Sequence, residues 1–185
     1  MMDSSNRNIE TGFCLYSPIT EDDVSMIIDI RTNNSQSVLN KISTSRTKQK
    51  QYVELYMQRF SENKEIYFKI TEKGETQPSG LIRVTELDEE FRFNLESLIF
   101  REKCAPFMPI DAIFTMYEMG FEKLKKEICG PLLVPKEGKK VYQLHKKMDI
   151  ATEVVGTEKN YYFVATMKKF AERKYFFKNL GFGLV

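Results

Sequence analysis

The chain has 185 residues, 42% of them apolar and 29% charged, with a formal net charge of +2. That length suits one domain with a sizeable core, and so small a net charge excludes a strong electrostatic attraction to nucleic acid or to an anionic membrane surface. No run approaches the roughly 18 apolar residues of a membrane-spanning helix, the polar start MMDSSNRNIE lacks a signal-peptide core, and Cys14, Cys104, Cys129 and the single His145 are too few and too scattered for a disulfide framework or a metal site.

A reducing, cytoplasmic setting follows as the expectation, with no metal, no nucleic acid and no membrane partner. Residues 1–11 are expected to be flexible. Gly12 to Ser17 reads as a strand. Thr20, with Asp22 and Asp23 behind it, starts a helix that runs to about Thr32 through Val24, Ile27, Ile28 and Arg31. The stretch to Ser45 is loop-like, anchored by Val38, Leu39 and Ile42. A second helix covers about Thr47 to Ser61, with Val53, Tyr56, Met57 and Phe60 as its apolar stripe.

From Glu65 to Glu72, Ile66, Phe68 and Ile70 alternate with Tyr67, Lys69 and Thr71, the period of a half-buried strand. The turn KGETQPSG joins it to a second strand, LIRVTEL, as a hairpin. Asp88–Glu89–Glu90 makes another turn. A strand beginning at Asn94 then leads through the Pro-broken loop REKCAPFMPIDA into a long helix. Ile110, Ile113, Phe114, Tyr117, Phe121 and Leu124 share one face of that helix. A helix that starts where a strand ends aims free backbone N–H groups and a positive dipole end at one spot, which suits an anion such as phosphate.

Gly130 ends the helical pattern and PLLVP reads as a short buried strand. Lys136 to Met148 is a further helix with Val141, Leu144 and Met148 on one face. ATEVVG and YYFVATM read as strands, and residues 168–185 as a basic, aromatic tail packed on the domain. The order is β-α-α-β-β-β-α-β-α-β-β: an α/β (α+β) domain with a central mixed, mostly antiparallel sheet flanked by helices.

Three stretches within residues 12–167 carry a family resemblance: SPITEDDVSMIIDIRTN, PSGLIRV and KEGKKVYQLHKKMDIATEVVG. With the order of elements, they resemble the GCN5-related N-acetyltransferase (GNAT) superfamily, which transfers acyl groups from acyl-CoA to amines. The Pro-containing loop after Glu96–Ser97 and the Leu144–His145 pair resemble a subgroup linked to amino-sugar and surface-polysaccharide pathways. The chain departs from the family at its pyrophosphate loop. Where a Q/R-x-x-G-x-G/A run is usual, REKCAPFMPIDA has no glycine. The usual asparagine before the later helix falls on Gly138, and the usual acidic tyrosine on His145.

What the resemblance implies is acetyl-CoA as acyl donor and a small amine as acceptor, plausible members being nucleotide-linked amino sugars, with direct transfer. Ile99, Phe100, Arg101, Cys104, Phe107, Met108, Ile110, Asp111 and Gly138 would hold the cofactor. Acyl transfer needs a base to take a proton from the ammonium and donors for the thioester oxygen. Glu96 is the candidate base, or else a strand glutamate paired with Arg83 or Arg92. His145 is the candidate acid, able to titrate near neutral pH, or else a packed residue beside Leu144 and Met148. Tyr142, one turn earlier, is its substitute or part of the core. Arg31 and Arg83 are candidates for an acidic or phosphorylated acceptor, or else ordinary surface charges. Cys104 with His145 suggests covalent chemistry only weakly, since the family transfers directly. The alternatives are an acetyltransferase acting on protein amines and a non-catalytic acyl-CoA-binding or interaction domain. A homodimer is compatible with either.

Overall fold

A computed structural model describes residues 8–33 and 45–185. The expected anchors Val38, Leu39 and Ile42 lie outside the described residues. The elements are β1 (Ile9–Glu10), β2 (Cys14–Pro18), α1 (Val24–Thr32), α2 (Arg46–Ser61), β3 (Ile66–Glu72), β4 (Gly80–Thr85), β5 (Arg92–Phe100), α3 (Met108–Glu118), β6 (Ile128–Pro135), α4 (Lys139–Met148), β7 (Ala151–Val154), β8 (Asn160–Thr166) and α5 (Met167–Asn179). The expected order therefore holds, with one strand added in front and one helix behind.

The added strand falls at residues 9–10, inside the stretch expected to be flexible. Ile9 and Glu10 pair with Tyr16 and Leu15. Ile9 and Thr11 are buried, and the Thr11 hydroxyl accepts from the Cys14 N–H at 2.9 Å, closing the turn between β1 and β2. Gly130, expected to stop a helix, lies inside β6.

Eight strands make one sheet in the order β1-β2-β3-β4-β5-β6-β8-β7. Neighbours are antiparallel except β5 and β6. A parallel pair needs a long crossover, and α3 supplies it. α1 and α2 cover one face of the N-terminal half, where Val24, Ile27, Ile30, Val53 and Tyr56 meet Tyr67, Leu81 and Ile99. The starts of these helices are locally fixed: the Asp23 carboxylate accepts from the Thr20 N–H at 2.8 Å, and the Ser45 hydroxyl accepts from the Lys48 N–H at 3.5 Å. The opposite face packs on α3, with Phe68, Ile82, Val84 and Phe93 from the sheet in the same cluster as Ile113, Phe114 and Phe170.

Covering both faces changes what two elements look like. Tyr67 sits among the polar positions of the β3 alternation, yet it is fully buried under α1 and α2. α3 was expected to bury one stripe. Instead every residue from Asp111 to Glu118 is buried, because α5 packs on its outer side with Phe170 and Phe177 ring centroids 5.4 and 5.1 Å from Phe114.

The last turn of α3 widens into a π-turn over Met119–Lys123. It lays Gly120 directly on the Phe93 ring, where any Cβ would overlap the ring atoms. Phe93 is also the residue at which β5 meets β6, opposite Cys129. Gly120→Ala is therefore expected to lower stability by about 1–3 kcal/mol through overpacking. Urea unfolding would check this, and an unchanged midpoint and slope would contradict it.

Candidate active site

β5 and β6 are in register only at Arg92–Ile128 and Phe93–Cys129. Beyond these two pairs they part. β5 continues along β4 to Phe100, whereas β6 continues along β8 from Leu132 to Pro135. The C-terminal half of β5 thus presents an edge to an opening rather than to a strand. Leu95, two residues past Phe93, donates its N–H to Asn94 Oδ1 at 2.9 Å and lies against the buried Cys129 sulfur. Burial raises that thiol well above its ordinary range, so it stays protonated.

Across β5 from this edge, the ladder with β4 carries a β-bulge. Arg83 is opposite Glu96 and Leu81 is opposite Ile99, so Ile82 faces both Ser97 and Leu98. Ser97 has φ of 50°, a left-handed conformation that a non-glycine residue adopts at some cost. A bulge re-aims backbone groups, and this one does so beside the opening.

β5 ends at Phe100, and the loop to α3 begins. Among the described residues, the N–H groups of Glu102, Lys103, Ala105 and Phe107 have no backbone acceptor, whereas those of Cys104 and Met108 bond to Arg101 and Ala105 at 3.2 and 3.0 Å. Pro109 stands in the first turn of α3. Free amides ahead of a helix dipole fit a pyrophosphate with no glycine required.

The side chains expected to touch the cofactor are mostly engaged elsewhere. Met108, Asp111 and Ile99 are buried in the core. The Arg101 guanidinium donates to the Pro78 carbonyl at 3.1 Å and pairs with Asp29 at 2.5 Å. The Phe107 ring lies 4.8 Å from the Phe13 ring. Phe100, Cys104 and Ile110 are half-buried, and burial raises the Cys104 thiol above its ordinary value, against a nucleophilic thiolate. Gly138 precedes α4 and bonds back to the Pro135 carbonyl at 2.8 Å. From this set the loop has backbone rather than charge to offer.

Glu96 lies on the face covered by α1 and α2, ion-paired with Arg83 across the ladder, with its side chain 37% exposed. Thr85 Oγ1 lies 3.4 Å from its other oxygen. Arg83 in turn donates to the Tyr52 hydroxyl at 2.5 Å and lies 3.6 Å from the buried Glu65 carboxylate, which pairs with Arg59 at 2.5 Å. Arg31 donates to the Tyr67 hydroxyl at 3.0 Å, and the Tyr52 and Tyr67 rings are 6.4 Å apart. Burial pushes the Tyr67 phenol up to about 12. The two expected substrate arginines thus lie on one half-buried polar cluster, Arg31 through Tyr67 and Arg83 through Tyr52 and the candidate base. Glu65, Tyr52 and Tyr67 belong to it without having been singled out. An aromatic residue at a polar position of β3 was the available signal for Tyr67.

The two expected acids are elsewhere. His145 is buried, stacked on Phe163 of β8 with centroids 5.0 Å apart, and burial pulls its imidazole down to about 4. It is neutral near pH 7 and has no imidazolium proton to give, contrary to the expected near-neutral titration. Tyr142 leans the same way: its ring lies 4.4 Å from Tyr161, and its hydroxyl donates to Glu153 of β7 at 3.0 Å. Both side chains therefore reach over β8, away from the β5 edge.

No family model and no curated protein matches this chain. Solved structures do. The chain is similar to FdhC in its apo form, a nucleotide-linked sugar GNAT, with 24% identity, a TM-score of 0.80, and 94% of this chain and 97% of that one covered. It is similar to a point mutant of the spermidine N-acetyltransferase SpeG from Vibrio cholerae, at 15% identity and TM-score 0.67, covering 87% and 98%. It is also similar to a GNAT-family acetyltransferase from Bacillus anthracis, at 13% identity and TM-score 0.69, covering 87% and 99%. The fold is that of the GNAT acetyltransferases.

The position of His145 has a consequence for stability. The unfolded chain protonates it as pH falls through about 6.5, the folded chain only near 4. Its contribution is whole above pH 6.5 and is lost as pH falls toward 4. Between pH 7 and pH 5 the protein should lose about 2 kcal/mol more than His145→Phe, which keeps a ring and removes the titration. Urea unfolding at both pH values measures this, and parallel losses would contradict it.

Proposed function

We propose that this chain is an acetyl-CoA-dependent N-acetyltransferase acting on a small amine, with nucleotide-linked amino sugars as the acceptor class. The parting of β5 from β6, with the Ser97 bulge on the same strand and the α3 amides at its end, carries the reading. The likeness to a nucleotide-linked sugar GNAT supports the acceptor class. Three thiols outside any disulfide fit a reducing, cytoplasmic setting.

When bound, acetyl-CoA supplies the acetyl group as a thioester. Amides of the loop at Glu102, Lys103, Ala105 and Phe107 hold its pyrophosphate, and amides at the bulge donate to the thioester oxygen as charge develops there. Glu96 takes one proton from the acceptor ammonium, directly or through a water. Arg83 fixes the Glu96 carboxylate beside the opening. The second proton that the nitrogen loses on acylation goes to the departing sulfur, so no side-chain acid is required. That accounting fits the placement of His145 and Tyr142 away from the edge. Arg31, held by the buried Tyr67 hydroxyl, is the group that would recognise an anionic part of the acceptor.

A non-catalytic acyl-CoA-binding domain is the second reading, favoured by the ion pair with Arg83 that already occupies the Glu96 carboxylate. Isothermal titration with acetyl-CoA tests the shared part, and no heat at millimolar ligand would reject both readings. Release of free CoA that depends on an added amino sugar nucleotide separates enzyme from binder. Glu96→Gln is expected to lower kcat by about 10²–10⁴ with acetyl-CoA affinity unchanged. Undiminished turnover would remove Glu96 as the base.

A further inference from the structure

The first turn of α3 contains a buried carboxylate, Asp111, one turn from the amides assigned to the pyrophosphate. Like charge so close to a phosphate site would weaken it unless the carboxylate is fully engaged. It is engaged from three directions. Oδ2 accepts from the Tyr16 hydroxyl at 2.7 Å and the Thr11 hydroxyl at 2.8 Å, and Oδ1 accepts from the Gly183 N–H at 3.3 Å. Two of these donors come from the N-terminal hairpin. The third comes from the far end of the chain.

Two turns along the same helix, Glu118 repeats the arrangement. Its Oε2 accepts from the Leu184 N–H at 2.7 Å, and its Oε1 pairs with Lys178 at 2.7 Å. Lys178 also donates to the Leu184 carbonyl at 2.8 Å. Gly183 has φ of 88°, and a Cβ there would stand 2.7 Å from Phe114 Cε1, so only glycine lets the backbone lie this close to α3. A ring contact extends the brace to the loop: Phe182 lies 5.1 Å from Phe13, and Phe13 lies 4.8 Å from Phe107, immediately before α3.

We propose that the C-terminal segment Leu180–Val185 is a positioning element for the acyl-CoA loop, clamping α3 through Asp111 and Glu118 and bracing Phe107 through Phe13. This rests on the acyltransferase reading of the loop. The segment touches no reacting atom. It holds the helix start in place and keeps the Asp111 charge turned inward.

Two variants test it: a chain ending at Leu180, and Phe182→Ala in the full-length chain. In variants that keep a cooperative unfolding transition, KM for acetyl-CoA should rise about tenfold, with kcat and the acceptor KM unchanged. Amide hydrogen exchange should quicken across residues 102–112 and stay unchanged in the β3–β4 hairpin. A folded variant with native exchange at residues 102–112 would overturn the proposal, as would an equal loss in all kinetic constants. If the parent protein binds no acetyl-CoA, the acyltransferase reading fails, and the exchange measurement alone decides the role of the segment. Should the shortened chain not fold, Phe182→Ala decides.

Discussion

The proposed site depends on two strands that pair for two residues and then separate. A parallel pair is held by its crossover, and here α3 ends in a π-turn that sets Gly120 on Phe93. The branch is thereby fixed at Phe93 and Cys129. Past it, β5 has a partner on one side only, and its other side has backbone donors without a ladder. The start of α3 follows that open side in sequence. Edge and helix start thus follow from one topological fact, and the Ser97 bulge lies on the same strand in its ladder with β4.

Much of the fold is legible in the chain. The strand–helix alternation and the hairpin through KGETQPSG follow from local chemistry that tertiary packing does not override. The misreadings have a common physical cause, which is burial from a second side. Tyr67 occupies a polar position in its strand because sequence alternation assumes one wet face, and α1 and α2 leave none. α3 looks amphipathic, but α5 covers the face that should meet water. β1 is invisible because two residues carry no period. They are recruited by pairing with β2.

The site is less legible, for a related reason. Glu96 and Arg83 stand out as charges on adjacent strands, and of the two arginines offered as partners, Arg83 is the one that the β4–β5 register sets opposite Glu96. Asp111 was expected among the cofactor-holding residues, whereas its engagement depends on donors about 100 and 72 residues away in sequence, Thr11 and Gly183. Long-range closure of that kind leaves no local signature. His145 occupies a position suggested by resemblance, yet the direction in which α4 rolls over β8 decides what it touches. A helix whose neighbours are Phe163 and Tyr161 turns its ring inward, and burial does the rest.

The central claim is that the open edge of β5 is where acetyl-CoA lies. A crystal structure of the protein with CoA tests it most directly. The account predicts the sulfur beside the Ser97–Ile99 backbone, the pantetheine between β5 and β6, and the pyrophosphate on the amides between Glu102 and Phe107. CoA bound elsewhere, or an edge closed by other protein atoms in the complex, would contradict it.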